Sequence, residues 1–200
     1  MLSEPLRRSL EAAVSEAEAA LDVEAVEYLR GRGLAKETAR TFRLGCVRAG
    51  EYANRLTIPY LSADGEVVDV RYRNLTSEGP KYLSRPGAPT RLFNVSALLA
   101  DSSTIWVTEG EIDAITLTQV GLPAVGVPGA KTWQKHWSRL FLDFDQIIVV
   151  CDGDQAGHDF GRKFMEKIEN ASVLHLPDGE DANSVYTTSG ADELKGLVNA

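Results

Sequence analysis

IWVTEGEIDAITL, Ile105 to Leu117, and its echo IIVVCDGDQAG, Ile147 to Gly157, decide how the rest of the chain is read. Each opens on a short apolar run, the pattern of a strand buried on both faces, and passes through a glycine-containing turn into a helical pattern. The carboxyl ends of the two strands therefore deliver acids: Glu109 and Asp113 in the first, Asp152 and Asp154 in the second. In open α/β sheets, ligands gather in the crevice beyond the carboxyl ends of the strands, so these four acids are expected to converge there. A metal-dependent site acting on phosphates is the chemistry such a crevice suits.

The flanking sequence keeps the same rhythm. Helices over 96–100, 112–120, 132–142 and 155–168 alternate with strands over 105–108, 124–127, 147–151 and 172–176, which predicts a parallel sheet with right-handed crossovers. A third acidic group, Asp178, Glu180 and Asp181 in HLPDGEDANSV, follows the last strand. Residues 178–188 read as a polar loop and 191–198 as a final helix. Asp152 and Asp154 flank Gly153 and form a pair of hard oxygen donors suited to Mg²⁺ or Mn²⁺. The plainer alternatives are helix caps for the aspartates, first-turn helix acids for Glu109 and Asp113, and a solvated loop for the third group.

Upstream, the pattern differs. Residues 3–20 read as a surface helix, Asp22 as the cap of a second helix ending at Gly31 and Gly33, and 35–42 as a third. RLTIPYL and EVVDVRYRN, joined by Asp64-Gly65, read as a β-hairpin with a turn compatible with type I′. Between Arg30 and Arg91 there are twelve Lys and Arg against six Asp and Glu, although the whole chain carries a formal charge of −8. The net charge argues against a protein that coats nucleic acid indiscriminately, while this stretch supplies a local positive surface. Arg71 and Arg73 alternate onto one face of the hairpin, a strip suited to phosphate. The division is thus 1–103, a helical and basic hairpin subdomain, and 104–200, a metal-binding domain.

Only Cys46 and Cys151 are present, so neither a disulfide framework nor a four-ligand zinc site is expected, and both read as small buried or half-buried thiols. No apolar run reaches the roughly 18 residues of a membrane helix, and the charged N-terminus is unlike a signal peptide, so a cytoplasmic protein is expected. GVPGAKT, Gly126 to Thr132, lacks the spacing of a phosphate-binding P-loop, although its amides are expected at the rim of the site. Trp133 and Trp137 read as packing residues.

EGEID, GVPGAKT, CDGDQAGHDFGRKF and LPDGEDAN, in that order over about residues 104–188, resemble the Toprim domain, an acidic α/β module of primases, topoisomerases and certain nucleases and recombination proteins. AVEYLRGRGLAKETARTFRLGCV, Ala25 to Val47, resembles the segment that opens the catalytic core of DnaG-like primases. Asn54-Arg55, Pro59, Gly65, Arg71 or Arg73, Lys81-Tyr82-Leu83 and Arg85-Pro86 follow the order of that core's basic subdomain, with Arg85 departing from the usual small polar residue. Topoisomerases lack this upstream arrangement.

The resemblance implies an α/β fold, a Toprim-type parallel sheet flanked by helices and preceded by a small α+β basic subdomain. It implies Glu109 as catalytic acid or base, and Glu109, Asp152, Asp154 and Asp181 as ligands of Mg²⁺ or Mn²⁺. Asn183 stands where primases commonly carry another aspartate. Asn54, Arg55, Arg71, Arg73 and Lys81 would hold nucleoside triphosphates and a single-stranded DNA template. The implied activity is synthesis of short RNA primers, the zinc-binding module and helicase contact being supplied by a separate partner, as in a small phage or plasmid system. The alternatives are a Toprim nuclease and a non-catalytic nucleic-acid-binding Toprim protein of recombination or repair.

Overall fold

The computed structural model describes residues 2–76, 78–128 and 132–198, in two compact units, Met1–Pro89 and Thr90–Ala200. Among the described residues no helix is long and apolar enough to cross a membrane.

The first unit sets helices α1 (Glu4–Ala19), α2 (Val23–Gly31) and α3 (Lys36–Thr41) with an antiparallel sheet ordered β1 (Gly45–Val47), β2 (Arg55–Leu61), β3 (Val67–Asn74) and β4 (Tyr82–Ser84). Leu10 and Val14, one turn apart on α1, pack on Val67, Val70 and Tyr72 of β3. Gly45 lies so close beneath α1 that a methyl group there would stand 2.3 Å from the Ala17 carbonyl carbon. Asp22 caps α2 as expected, accepting from the Ala25 N–H at 2.8 Å.

The hairpin turn differs from the two-residue form. The Gly65 N–H donates to the Ser62 carbonyl at 3.0 Å, and φ is positive at Gly65 (82°) but not at Asp64. A four-residue turn with left-handed glycine therefore joins the strands, and the register shift at Tyr60/Leu61 absorbs the added length.

The second unit is the parallel sheet, β5 (Thr104–Thr108), β6 (Ala124–Gly126), β7 (Gln146–Cys151) and β8 (Ala171–His175), ordered β6-β5-β7-β8, with helices α4 (Glu111–Gln119), α5 (Gln155–Met165) and α6 (Ala182–Val198). Ile105, Val107, Ile147 and Val149, buried in the two central strands, share one core with Trp137, Phe141, Phe160 and Phe164. The chain leaves β5 toward β6 and then crosses back to β7 on the other side of β5. The topological switch point, where such sheets open a crevice, thus lies between β5 and β7.

Leu92 and Ala97 belong to this core, and Phe93 exchanges backbone hydrogen bonds with Gly126 at 2.9 and 3.1 Å. Residues 90–103 therefore fold with the sheet, and the seam between units falls before the 103/104 change in sequence rhythm. Two local expectations change. The 132–142 helix is a shorter 3-10 helix, Lys135–Phe141, within an aromatic cluster in which Trp133 meets Trp137 and Phe164 edge-on and Phe141 meets Phe164. The 178–188 polar loop is helical from Ala182 onward, running to Val198 with a bend at Gly190 (φ 87°). Its Thr, Ser and Gly content hid a helix that capping and tertiary contacts hold.

Candidate functional site

Glu109 and Asp152 follow directly on the central strands β5 and β7, at the switch point, and both are half-buried. Asp113, in the first turn of α4, is 8% exposed and accepts through Oδ1 from the Asn183 N–H at 3.1 Å. Its pKa is pushed from 3.8 up to about 7, first by burial and then by the negative charges of Asp181 and Asp152. Burial, then Asp152 and Glu109, push the Cys151 thiol up to about 12, which keeps it protonated and unreactive. Acids from three separate chain segments thus share one field. A Cβ at Gly110 would lie 2.5 Å from Asp113 Oδ2, so glycine keeps the space over that carboxylate open.

Two of the acids also terminate helices. Asp154, exposed, accepts from the Gly157 N–H at 2.8 Å and caps α5. Asp181 Oδ1 accepts from the Ser184 N–H at 2.6 Å, while the Ser184 hydroxyl accepts from the Asp181 N–H at 2.8 Å, a reciprocal cap at the start of α6. Helix N-termini favour ionised carboxylates, so capping and cation binding draw on the same charge state. Among the described residues no three His, Cys, Asp or Glu side chains lie close enough together to cage a metal ion.

The charge state of Asp113 can be followed through stability. Its folded pKa lies above the ordinary value, so the folded chain binds that proton more tightly than the unfolded chain does. The contribution is complete below about pH 4 and is lost as pH rises through about 7. In metal-free buffer the melting temperature should decline over this window, and Asp113→Asn should remove its share of the decline. Identical slopes for the two proteins would contradict the assignment.

In the first unit the cations gather around one ring. The Arg71 guanidinium lies 4.4 Å from the Tyr82 ring centroid, Arg73 5.2 Å and the Lys81 amine 6.0 Å, and Arg73 also donates to the Tyr82 hydroxyl. Arg71 and Arg73 share a face, as alternation requires. Their burial differs: Arg55 and Arg73 are 8% and 7% exposed, Arg71 is half-buried, and Lys81 and Asn54 are exposed. Arg55 donates to the Pro80 carbonyl at 3.0 Å. Much of the local positive charge is met internally, by Glu11 and Glu18 at Arg43, Asp22 at Arg48 and Asp69 at Arg85. Of GVPGAKT, residues 129–131 lie outside the described residues.

Residues 106–186 match the Toprim-like family model. The Gene 57 protein of Mycobacterium phage D29 is 41% identical over 72% of this chain and 97% of its own length. The chain belongs to one family with that phage protein and carries a Toprim-like domain. The DNA primase of Pseudomonas putida is 28% identical to this Toprim protein over 88% of the chain, which spans 34% of that primase's length. The crystal structure of a DNA primase domain from Pseudomonas aeruginosa superposes with a TM-score of 0.84 at 28% identity, covering 98% of this chain and 78% of that one. The fold is that of the DnaG catalytic core.

Asn183 and Thr116 escaped the sequence reading as structural partners of the acids. Asn183 Nδ2 donates to Thr116 Oγ1 at 2.9 Å. Their only signal in the sequence is that Asn183 stands where primases commonly carry an aspartate.

Proposed function

We propose that this Toprim protein is a primase core, a DNA-directed RNA polymerase that joins ribonucleotides into short primers on single-stranded DNA. The observation that carries this reading over the nuclease is that likeness to DNA primases runs through both units, basic and acidic, rather than through the Toprim portion alone. In the reaction a primer 3′-hydroxyl attacks the α-phosphorus of a nucleoside triphosphate, the bond to pyrophosphate breaks and the hydroxyl proton is released. Glu109 would receive that proton. Asp152, Asp154, Asp181 and Glu109 would hold Mg²⁺ or Mn²⁺. The all-oxygen donor set fits a hard cation, and the crowding that raises Asp113 is charge a cation would relieve. When bound, such an ion stabilises charge on the triphosphate and lowers the pKa of the attacking hydroxyl.

Lys81, Arg71 and Asn54 would contact nucleotide and template phosphates, with Arg73 and Arg55 holding Tyr82 and the adjoining loop behind them. A separate zinc-binding or helicase partner would supply template choice. The test is incubation with single-stranded DNA, ribonucleotides and Mg²⁺ or Mn²⁺, followed by sizing of the products. New oligonucleotides are expected, and Arg71→Ala should reduce their yield by about tenfold or more while leaving the melting temperature within a few degrees. Shortened DNA without added nucleotides would replace this reading with the nuclease.

A further inference from the structure

A polar ladder between α4 and α6 braces the acids of the second unit. Asn183, 1% exposed, donates from its backbone N–H to Asp113 Oδ1 and from Nδ2 to Thr116 Oγ1. Thr116, fully buried, spends its own proton on the Ile112 carbonyl at 2.8 Å, so its oxygen is left to accept from Asn183. One turn further on, Gln119 Nε2 donates to the Tyr186 hydroxyl at 3.0 Å. The rungs recur at 113, 116 and 119 on α4 and at 183 and 186 on α6, one helical turn apart on each. Such spacing fixes both the axial position and the rotation of α6 against α4.

The consequence lies at the start of α6. Asp181 caps it through the Ser184 N–H, and the Asn183 N–H is turned to Asp113. Amides of one helix terminus thus address two carboxylates that repel each other, and the positive end of the helix offsets part of that repulsion. Where α6 sits decides how far apart Asp113 and Asp181 stand.

We propose that Asn183 and Thr116 are positioning residues, which act through the register of α6 to hold Asp181 in place beside Asp113 as a ligand for a divalent cation. This rests on the metal-dependent reading above. Asn183 accordingly serves the site as a strut, where a second acidic ligand would add charge to a buried cluster.

The test measures Mn²⁺ affinity of the full chain from its electron paramagnetic resonance signal, alongside metal-free melting. Thr116→Val keeps the volume and removes the acceptor. It should weaken Mn²⁺ binding by about tenfold, whereas Thr116→Ser, which keeps the hydroxyl, should stay within about twofold of the parent. Tyr186→Phe removes only the rung remote from the acids, and should lower the metal-free melting temperature without changing Mn²⁺ affinity. A Thr116→Val protein that melts earlier yet binds Mn²⁺ as the parent does would reduce the ladder to packing and overturn the proposal. Should that variant not fold, Asn183→Ala is read against the same two outcomes. A parent chain that binds no Mn²⁺ at all overturns the metal reading and the brace with it.

Discussion

Replacing Asp152 with asparagine is expected to abolish primer synthesis while leaving the metal-free protein as stable as the parent or more so. The two halves of this outcome share one cause. Asp152 stands immediately beyond β7, and its negative charge contributes to the raised pKa of both Asp113 and Cys151. Asparagine has nearly the same shape and no charge, so without metal it removes repulsion from the cluster and makes the buried Asp113 easier to ionise. The same change removes a charged oxygen donor. A loss of synthesis on the order of a thousandfold, about 4 kcal/mol of barrier, is the scale expected for a principal charge at a phosphoryl-transfer centre. Quantified primer yield and a pair of melting curves, with and without Mg²⁺, decide the matter. The parent should gain stability from Mg²⁺ and the variant little or none. Near-parental synthesis by Asp152→Asn would remove Asp152 from the site.

Gly153→Ala should produce the largest loss of stability, about 3 kcal/mol or more, because the added methyl has nowhere to go. A Cβ at Gly153 would stand 1.8 Å from the Pro177 carbonyl oxygen and 2.6 Å from its carbon, both backbone atoms. The obstruction is one of space, since Gly153 is not among the residues with positive φ. Gly153 also receives the Gly179 N–H at 2.7 Å and donates to the Glu180 carbonyl at 2.8 Å. The turn after β7 is therefore stitched to the turn that carries Asp181, and forcing them apart should weaken Mg²⁺ binding along with the fold. Gly196→Ala is the matched control: nothing lies within 4 Å of a Cβ there, and a helical position should gain up to about 1 kcal/mol from alanine. Urea melts of the three proteins give the comparison. Equal midpoints for Gly153→Ala and the parent would mean that the two turns are not in contact in solution.

The sequence by itself determined the α/β class, the strands that carry Glu109 and Asp152, the basic hairpin and the cap at Asp22. These depend on local periodicity, on strand ends and on turn residues, all of which are written within a few positions of one another. The glycine-containing turns after Glu109 and Asp152 were visible, but which atoms each glycine faces was not. Only the tertiary structure decided that β5 and β7 are adjacent, which puts Glu109 and Asp152 at one switch point. It also decided that Arg55 and Arg73 are buried while Lys81 is exposed, since alternation assigns a face and says nothing about what covers it. The start of α6 shows the limit most clearly. DANSVYTTSG has the composition of a loop, and it is helical because Asp181 and Ser184 cap it reciprocally and Asn183 reaches across to Asp113 and Thr116. Those partners are separated by 67 to 70 positions in the chain. Contacts of that range leave no local pattern, and here they set the distance between the acids.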